Sequence, residues 1–520
     1  MTGSSVQVLI AMCCYMAVVI GIGIFFAKRA NKNSENYFLG GRSLGPWVAA
    51  MSAEASDMSG WLLMGLPGLA YWCGLADAGW TAIGLAIGTY VNWLVVAKPL
   101  RRYSQVTNAI TIPDFFSNRF KENKKVIMTI ASIFILVFFA VYAGSCFVTC
   151  GKLFSQLFGA NYQLMMVVGA LFVLLYTFLG GFLAESASDF MQALVMIFAL
   201  VTVLVTGTIA AGGVDAVVEN AKGIPGFASF FGIAQPTLDA AGVQQIGANG
   251  EPLFGAAGNY GFLNMVSMIA WGLGYFGVPQ VLLRFMAIRT SAEIKKSRRI
   301  ATSWCLISLA SAVMIGVIGR ALLPTAYQTA SDAENIFIGM ASMLMHPLFA
   351  GIVMAGVLAA TISSSDSYLL IAASAFSKNI FQGLIKKNAT DKQVMRVSRI
   401  TLIAVAVVGM IIALDEDSVI FTLVSFAWAG FGATFGPLML FSLFWKRINR
   451  AGAIAGMLTG AISVFVWKLV LNPLGGVFAI YELLPAFILS SIAIVVVSLL
   501  TKAPSEEIQR EFEESKTIEC

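Results

Sequence analysis

The 520-residue sequence predicts an all-α polytopic membrane protein with about thirteen transmembrane helices. Three observations carry that expectation. Hydrophobic residues make up 58% of the chain and charged residues 12%. An ordinary soluble domain carries about 25% charged residues, so a soluble enzyme, a disordered chain and a coiled coil are excluded. Apolar stretches of about 20 residues, the length that crosses a bilayer's hydrocarbon core, recur along the whole chain. The basic residues also fall almost entirely on one side once the stretches are counted off as membrane crossings.

The expected spans are 7–27, 46–67, 76–98, 126–151, 161–179, 184–211, 260–280, 300–322, 344–377, 398–414, 418–445, 452–471 and 478–500. The first is too long for the apolar region of a signal peptide. No positive residue precedes it, and Lys28, Arg29 and Lys32 follow it. With the N-terminus outside, 29 of the 33 basic residues face the cytoplasm, and only Lys152, Lys222, Arg320 and Lys468 fall outside. The net charge of +6 therefore records orientation and implies no nucleic-acid partner. The expected organisation is an extra N-terminal helix at 7–27, a first repeat at 46–211, an extracytoplasmic connection at 212–259, a second repeat at 260–445, two C-terminal helices at 452–500 and a cytoplasmic tail at 502–520. The tail, after Pro504 and Ser505, reads as an N-capped, solvated helix.

Enzyme chemistry finds little support. The seven cysteines form no CxxC pair, so neither a disulfide framework nor a zinc site is indicated. His346 is the only histidine, and it stands before Pro347 at the start of an apolar run as an interfacial residue. No nucleophile–base pair is visible, and the enzyme expectation is negative.

Three stretches interrupt the apolar runs. Residues 52–68, SAEASDMSGWLLMGLPG, put Glu54 and Asp57 inside a span, with three serines and three glycines around them. An ionisable residue there costs at least about 2.5 kcal/mol on insertion scales, and it marks a functional hypothesis. Gly60, Gly65, Pro67 and Gly68 weaken the helix, which is tolerated only where the freed backbone faces protein or water. Residues 271–280, WGLGYFGVPQ, repeat the interruption at the start of the second group of five spans. Two broken helices at matching places point to a transporter's midplane site, and the opposite starting sides make the repeats inverted.

In the third stretch, Ala360, Ser363, Ser364 and Ser367 share one helix face. Such a stripe is either packing glue between helices or a row of oxygen ligands for a hard cation. Asp366 lies off it. Glu185, Ser186, Ser188 and Asp189 interrupt another span near its inner end. Asp189 is either solvated at the interface or a functional intramembrane acid. Trp61, Tyr142, Trp271 and Tyr275 lie in or near these stretches and together suit the wall of a small-solute pocket.

The stretches GGRSLGP (40–46), ASDMSGWLLMGLPG (55–68), WGLGYFG (271–277), RFMA (284–287), SFAWAGFGATFGP (425–437) and RAGAIAGM (450–457) resemble the solute:sodium symporter family, in particular its proline-carrying branch. The resemblance runs from about residue 7 to 505. It implies thirteen spans in a leucine-transporter-like five-plus-five inverted repeat, with the first and sixth core helices broken.

By the same resemblance the sodium ligands are Ala55, Met58, Ala360, Ser363 and Ser364. Asp57 and Asp189 are coupling carboxylates. Ser59, Gly60, Trp61, Tyr142, Trp271, Tyr275 and Pro279 match positions of substrate binding or its gates. The implied activity is sodium-driven uptake of L-proline by alternating access at the cell membrane. Na⁺ is the co-transported ion, and no organic cofactor, nucleic acid or obligate protein partner is expected. Another small zwitterion or carboxylate stays open as the substrate. Two carboxyls depart from the family pattern: Glu54 stands in place of a small residue, and Asp366 in place of a small polar one. Both bear on coupling stoichiometry.

Overall fold

The computed structural model describes residues 3–30 and 34–518. Lys32 lies outside them, as do the side chains of Lys28 and Arg29, so these three expected cytoplasmic charges are not placed. Among the described residues nine helices are long and apolar enough to cross a membrane. Two further crossings are helix pairs bent by 43°, Leu75–Val95 with Ala97–Val106 and Phe262–Phe276 with Pro279–Ala287. The shorter apolar helices Trp61–Cys73 and Tyr162–Phe178 supply the rest of the thirteen expected spans.

Local chemistry sets the boundaries. Continuous helix runs from Tyr162 to Ala210 except at Gly181, whose φ of 57° and ψ of −175° turn the chain. That is the left-handed region open to glycine, and it divides the stretch into the two expected crossings. Helices Pro46–Asp57, Pro279–Ala287 and Pro347–Ser374 each carry proline in the first turn, where its missing N–H has no helical partner to lose.

Small residues let the spans pack closely. Helix Leu75–Val95 meets the broken segment 270–276 so tightly that a Cβ on Gly88 would collide with the Gly272 backbone. Helix Pro347–Ser374 packs against helices Gly3–Ala30, Val126–Phe158 and Tyr162–Ala210, and from Ala350 to Ser374 nearly every residue is buried. The connection at 212–259 folds onto the C-terminal end of helix Leu66–Cys73 and the start of helix Leu75–Val95. There Leu75 donates its N–H to the Phe227 carbonyl at 2.9 Å and Ala234 donates to Cys73 at 3.2 Å.

Several basic residues lie deeper than a loop reading places them. Arg284, expected in a cytoplasmic cluster, is fully buried in the bundle. Lys152, expected outside, is buried with Glu334 at 2.8 Å. The other Glu334 contacts cap helix Ile420–Phe444, accepting from the Ile420 and Phe421 N–H groups at 2.9 and 3.0 Å. The tail also differs from the solvated helix expected. Helix Glu506–Thr517 is capped by Ser505, whose Oγ accepts from Ile508 N at 3.4 Å, but it lies docked with Phe512 and Ser515 buried. The Phe512 ring meets Tyr103 at 6.3 Å and the Arg119 guanidinium at 5.2 Å.

Candidate functional site

The first break begins where helix Pro46–Asp57 stops. Met58 leaves helical geometry at φ −81°, ψ 77°. Ser59 N then donates to the Asp57 carbonyl at 3.0 Å, Leu62 N to the Ser59 carbonyl at 2.9 Å, and the chain re-enters helix through a wide π turn at Trp61–Gly65. The serines help: Ser56 Oγ donates to the Ala53 carbonyl at 3.1 Å, a local bond that competes with the helical ladder. Gly60 is packed so closely on Thr149 that a Cβ there would overlap the threonine side chain.

Four of the five expected sodium ligands meet directly. Ser363 and Ser364 donate their hydroxyls to the Ala55 carbonyl at 2.8 and 3.1 Å, and Ser363 also reaches the Ala360 carbonyl at 3.2 Å. Met58, the fifth, stands one turn beyond Ala55 at the end of the same helix, and all five residues are fully buried. The stripe's hydroxyls thus meet a carbonyl at the end of the unwound helix, a contact common to helix packing and to a row of oxygen ligands. A hydroxyl that donates to a carbonyl keeps its lone pairs for a cation.

The aromatic residues pack ring against ring. Trp61 and Trp271 face one another with ring centres 6.3 Å apart, and Trp271 packs on Tyr481 at 4.9 Å and Phe421 at 5.0 Å. Trp428 donates its ring N–H to the Trp271 carbonyl at 2.8 Å. Tyr275 donates its hydroxyl to Asp57 Oδ2 at 2.7 Å, which ties the second break to the first. Tyr142 stacks on Tyr368 at 4.2 Å, with its hydroxyl unpartnered. Ser59 Oγ is likewise buried without a partner. Pro279 opens the helix after the second break and is buried. These side chains are buried, with Trp61, Trp271 and Tyr275 each 1% exposed.

Asp189 is fully buried, which removes the reading of a solvated interfacial acid. Its Oδ2 accepts from Ser52 Oγ at 2.7 Å and from Arg284 Nη2 at 3.2 Å. Arg284 also pairs with Glu185, donates to Ser367 at 2.8 Å and stands 4.9 Å over the Phe182 ring. One guanidinium thus joins four separate spans. Removing one partner of such a buried pair strands a charge at about 3–5 kcal/mol. Ser367 in turn donates to the Ser363 carbonyl at 2.9 Å, so this network abuts the serine–carbonyl cage. Sequence reasoning missed Arg284 because its spacing to Arg289 and Lys295 resembles a cytoplasmic cluster. The available signal was an arginine with only apolar neighbours, in LLRFMA.

A family model described as "Sodium:solute symporter family" matches residues 37–460. The "Sodium/proline symporter" of Escherichia coli (strain K12) is 40% identical over 516 residues, covering 98% of this chain and 96% of that protein. The protein of the same description from Staphylococcus aureus (strain NCTC 8325 / PS 47) is 38% identical over 519 residues, with 98% and 96% coverage. Among solved structures, a Na⁺-coupled sialic acid symporter in a substrate-bound outward-open state superposes with a TM-score of 0.74 at 19% identity, covering 96% of this chain and 99% of that one. A nucleobase-cation-symport-1 family transporter in a closed conformation gives a TM-score of 0.53 at 15% identity, with 93% and 100% coverage. These two show a shared fold, that of the leucine-transporter-like symporters.

Proposed function

The chain belongs to the sodium:solute symporter family, and we propose that it carries L-proline inward across the cell membrane, driven by the sodium gradient. Full-length relatives described as sodium/proline symporters support the substrate. The observation that carries the ion is the pair of serine hydroxyls on the Ala55 carbonyl, at 2.8 and 3.1 Å, where the first helix unwinds.

Sodium bound by the oxygens of Ala55, Met58, Ala360, Ser363 and Ser364 pins the broken helix to its partner. The pinned arrangement binds proline better, and linkage makes proline strengthen sodium binding by the same factor. The proline carboxylate suits the start of the half-helix near Ser59 and Gly60, where the dipole end is positive. The pyrrolidine ring suits the wall of Trp61, Tyr142, Trp271 and Tyr275, and Pro279 starts the half-helix that moves with it. Asp57 and Asp189 act as coupling carboxylates, because each holds the broken first helix to another span, through Tyr275 and through Ser52.

Rocking of the paired first and sixth core helices, one from each of the repeats 46–211 and 260–445, would then open the inner side, with 7–27 and 452–500 outside the repeats. The N-terminus stands outside, the 212–259 connection outside and the 502–520 tail in the cytoplasm, as the distribution of basic residues favours.

Purified protein in liposomes should take up radiolabelled proline only under an inward sodium gradient. Equal uptake in choline medium would sink the coupling. A panel of competing amino acids and betaines tests the substrate, and stronger competition by any of them than by proline would replace it.

A further inference from the structure

At the end of the bundle that carries the tail, a cavity of about 440 Å³ opens between three elements. Helix Ala97–Val106, which follows Leu75–Val95 at a 43° bend, supplies Lys98, Arg102 and Tyr103. The close of helix Ile420–Phe444 supplies Leu443 and Phe444, and the tail helix Glu506–Thr517 supplies Lys516. Among the described residues no acid lines the cavity.

Its cations are poorly neutralised. Lys98 and Arg102 stand four residues apart on one helix face, where like charges repel. Among the described residues neither has a carboxylate within 4.0 Å, and Lys516 has only an exposed one, Glu513 at 2.9 Å. Lys121, which also meets the tail, is by contrast paired with Glu507 and Glu511 at 2.7 and 2.8 Å. Two of the lining residues carry a buried donor without a partner, Arg102 at Nε and Tyr103 at its hydroxyl. Arg102 Nη1 donates to the Lys516 carbonyl at 2.8 Å, which brings the tail against the wall that holds Lys98. The remaining wall is apolar and outward-facing. Phe444 is 51% exposed at the end of a membrane span, and Lys446 and Arg447 follow it. The cavity therefore sits where hydrocarbon gives way to headgroups.

We infer that this cavity binds the headgroup of an anionic glycerophospholipid from the leaflet at this end of the bundle. The phosphate oxygens accept charge-assisted bonds from Arg102, Lys98 and Lys516, as basic pockets between membrane helices provide. The acyl chains run along Phe444, which a soluble anion would leave uncovered. The bound lipid removes the repulsion between Lys98 and Arg102. It also joins helix Ala97–Val106 to the tail, so docking of the tail responds to the charge of the membrane. The site is independent of the transported solute and ion.

Native mass spectrometry of the full chain with added phosphatidylglycerol should show a retained lipid. Lys98→Gln should weaken retention about fivefold, while Lys98→Arg, which keeps the charge, should hold it. Lys295→Gln removes an exposed charge from helix Ile294–Leu322, away from the cavity, and should leave retention unchanged. Equal loss in Lys98→Gln and Lys295→Gln, or loss in neither, overturns the site. In nanodiscs, trypsin should cut at Arg510 about fivefold more slowly with phosphatidylglycerol present than in phosphatidylcholine alone, and Lys98→Gln should lose that protection. The same protection from inorganic phosphate in phosphatidylcholine nanodiscs would assign the cavity to a soluble anion and overturn the lipid. Cleavage that ignores membrane charge overturns the link to the tail.

Discussion

At the scale of single residues, the serine pair gives the sharpest expectation. Ser364 contributes one hydroxyl to the proposed sodium cage, and Ser364→Ala removes it without changing the helix. A lost hydrogen-bonding ligand costs on the order of 1–1.5 kcal/mol, so the sodium concentration for half-maximal proline uptake should rise about tenfold. Sodium titration of uptake at saturating proline checks this, and an unchanged titration removes Ser364 from the cage. The helix break and the Ser363–Ser364 stripe were legible because each leaves a local mark in the sequence, while Ala55 as a proposed ligand followed from the family resemblance. Arg284 was not. Its burial depends on Glu185, Asp189, Ser52 and Ser367 arriving from three other spans, and no local pattern records that meeting. Tyr368, Trp428 and Tyr481 were missed for the same reason, since an aromatic residue in an apolar span looks like packing until its neighbours are known.

At the scale of elements, the broken helices were readable because Gly, Ser and Pro act on the backbone where they stand. The tail was half readable. Its cap and charge pattern mark a helix, but the apolar Phe512 had no visible counterpart in sequence. In the structure that ring is buried against Tyr103 and Arg119, while the surrounding ion pairs of Lys121 with Glu507 and Lys516 with Glu513 are exposed. Those lysines hold the Glu507 and Glu513 carboxyls below their ordinary range. The Lys516–Glu513 pair lies within the tail helix, whereas Glu507 is lowered by Lys121 from outside it, so Glu507 stabilises the docked helix above its ordinary range and that help is lost as pH falls through the lowered value. Exposed pairs of this kind contribute little, whereas truncating a buried phenylalanine costs about 3 kcal/mol or more. Phe512→Ala should therefore release the tail, seen as faster trypsin cleavage at Arg510, with a larger effect than Glu507→Gln. Equal cleavage of Phe512→Ala and the parent would show that the aromatic contact does not hold the tail.

At the scale of the whole molecule, the proposed orientation sets which loops face which compartment. A cysteine at Ala240→Cys, in the 212–259 connection, should react with a membrane-impermeant maleimide on intact cells. A cysteine at Ala503→Cys should react only after permeabilisation. The reverse pattern would invert the orientation. The sequence by itself determined the thirteen crossings, the two breaks and the family. Lipid demands an unbroken apolar run for each crossing, and each departure from that demand is written in consecutive residues. The tertiary structure alone decided which charges are interior and what neutralises them. It moved Arg284 and Lys152 from loops into the bundle, paired Asp189, and left one carboxyl oxygen each of Glu54 and Asp57 without a partner. Burial and pairing are properties of what packs opposite a residue, and in this fold the opposite face comes from spans hundreds of residues away.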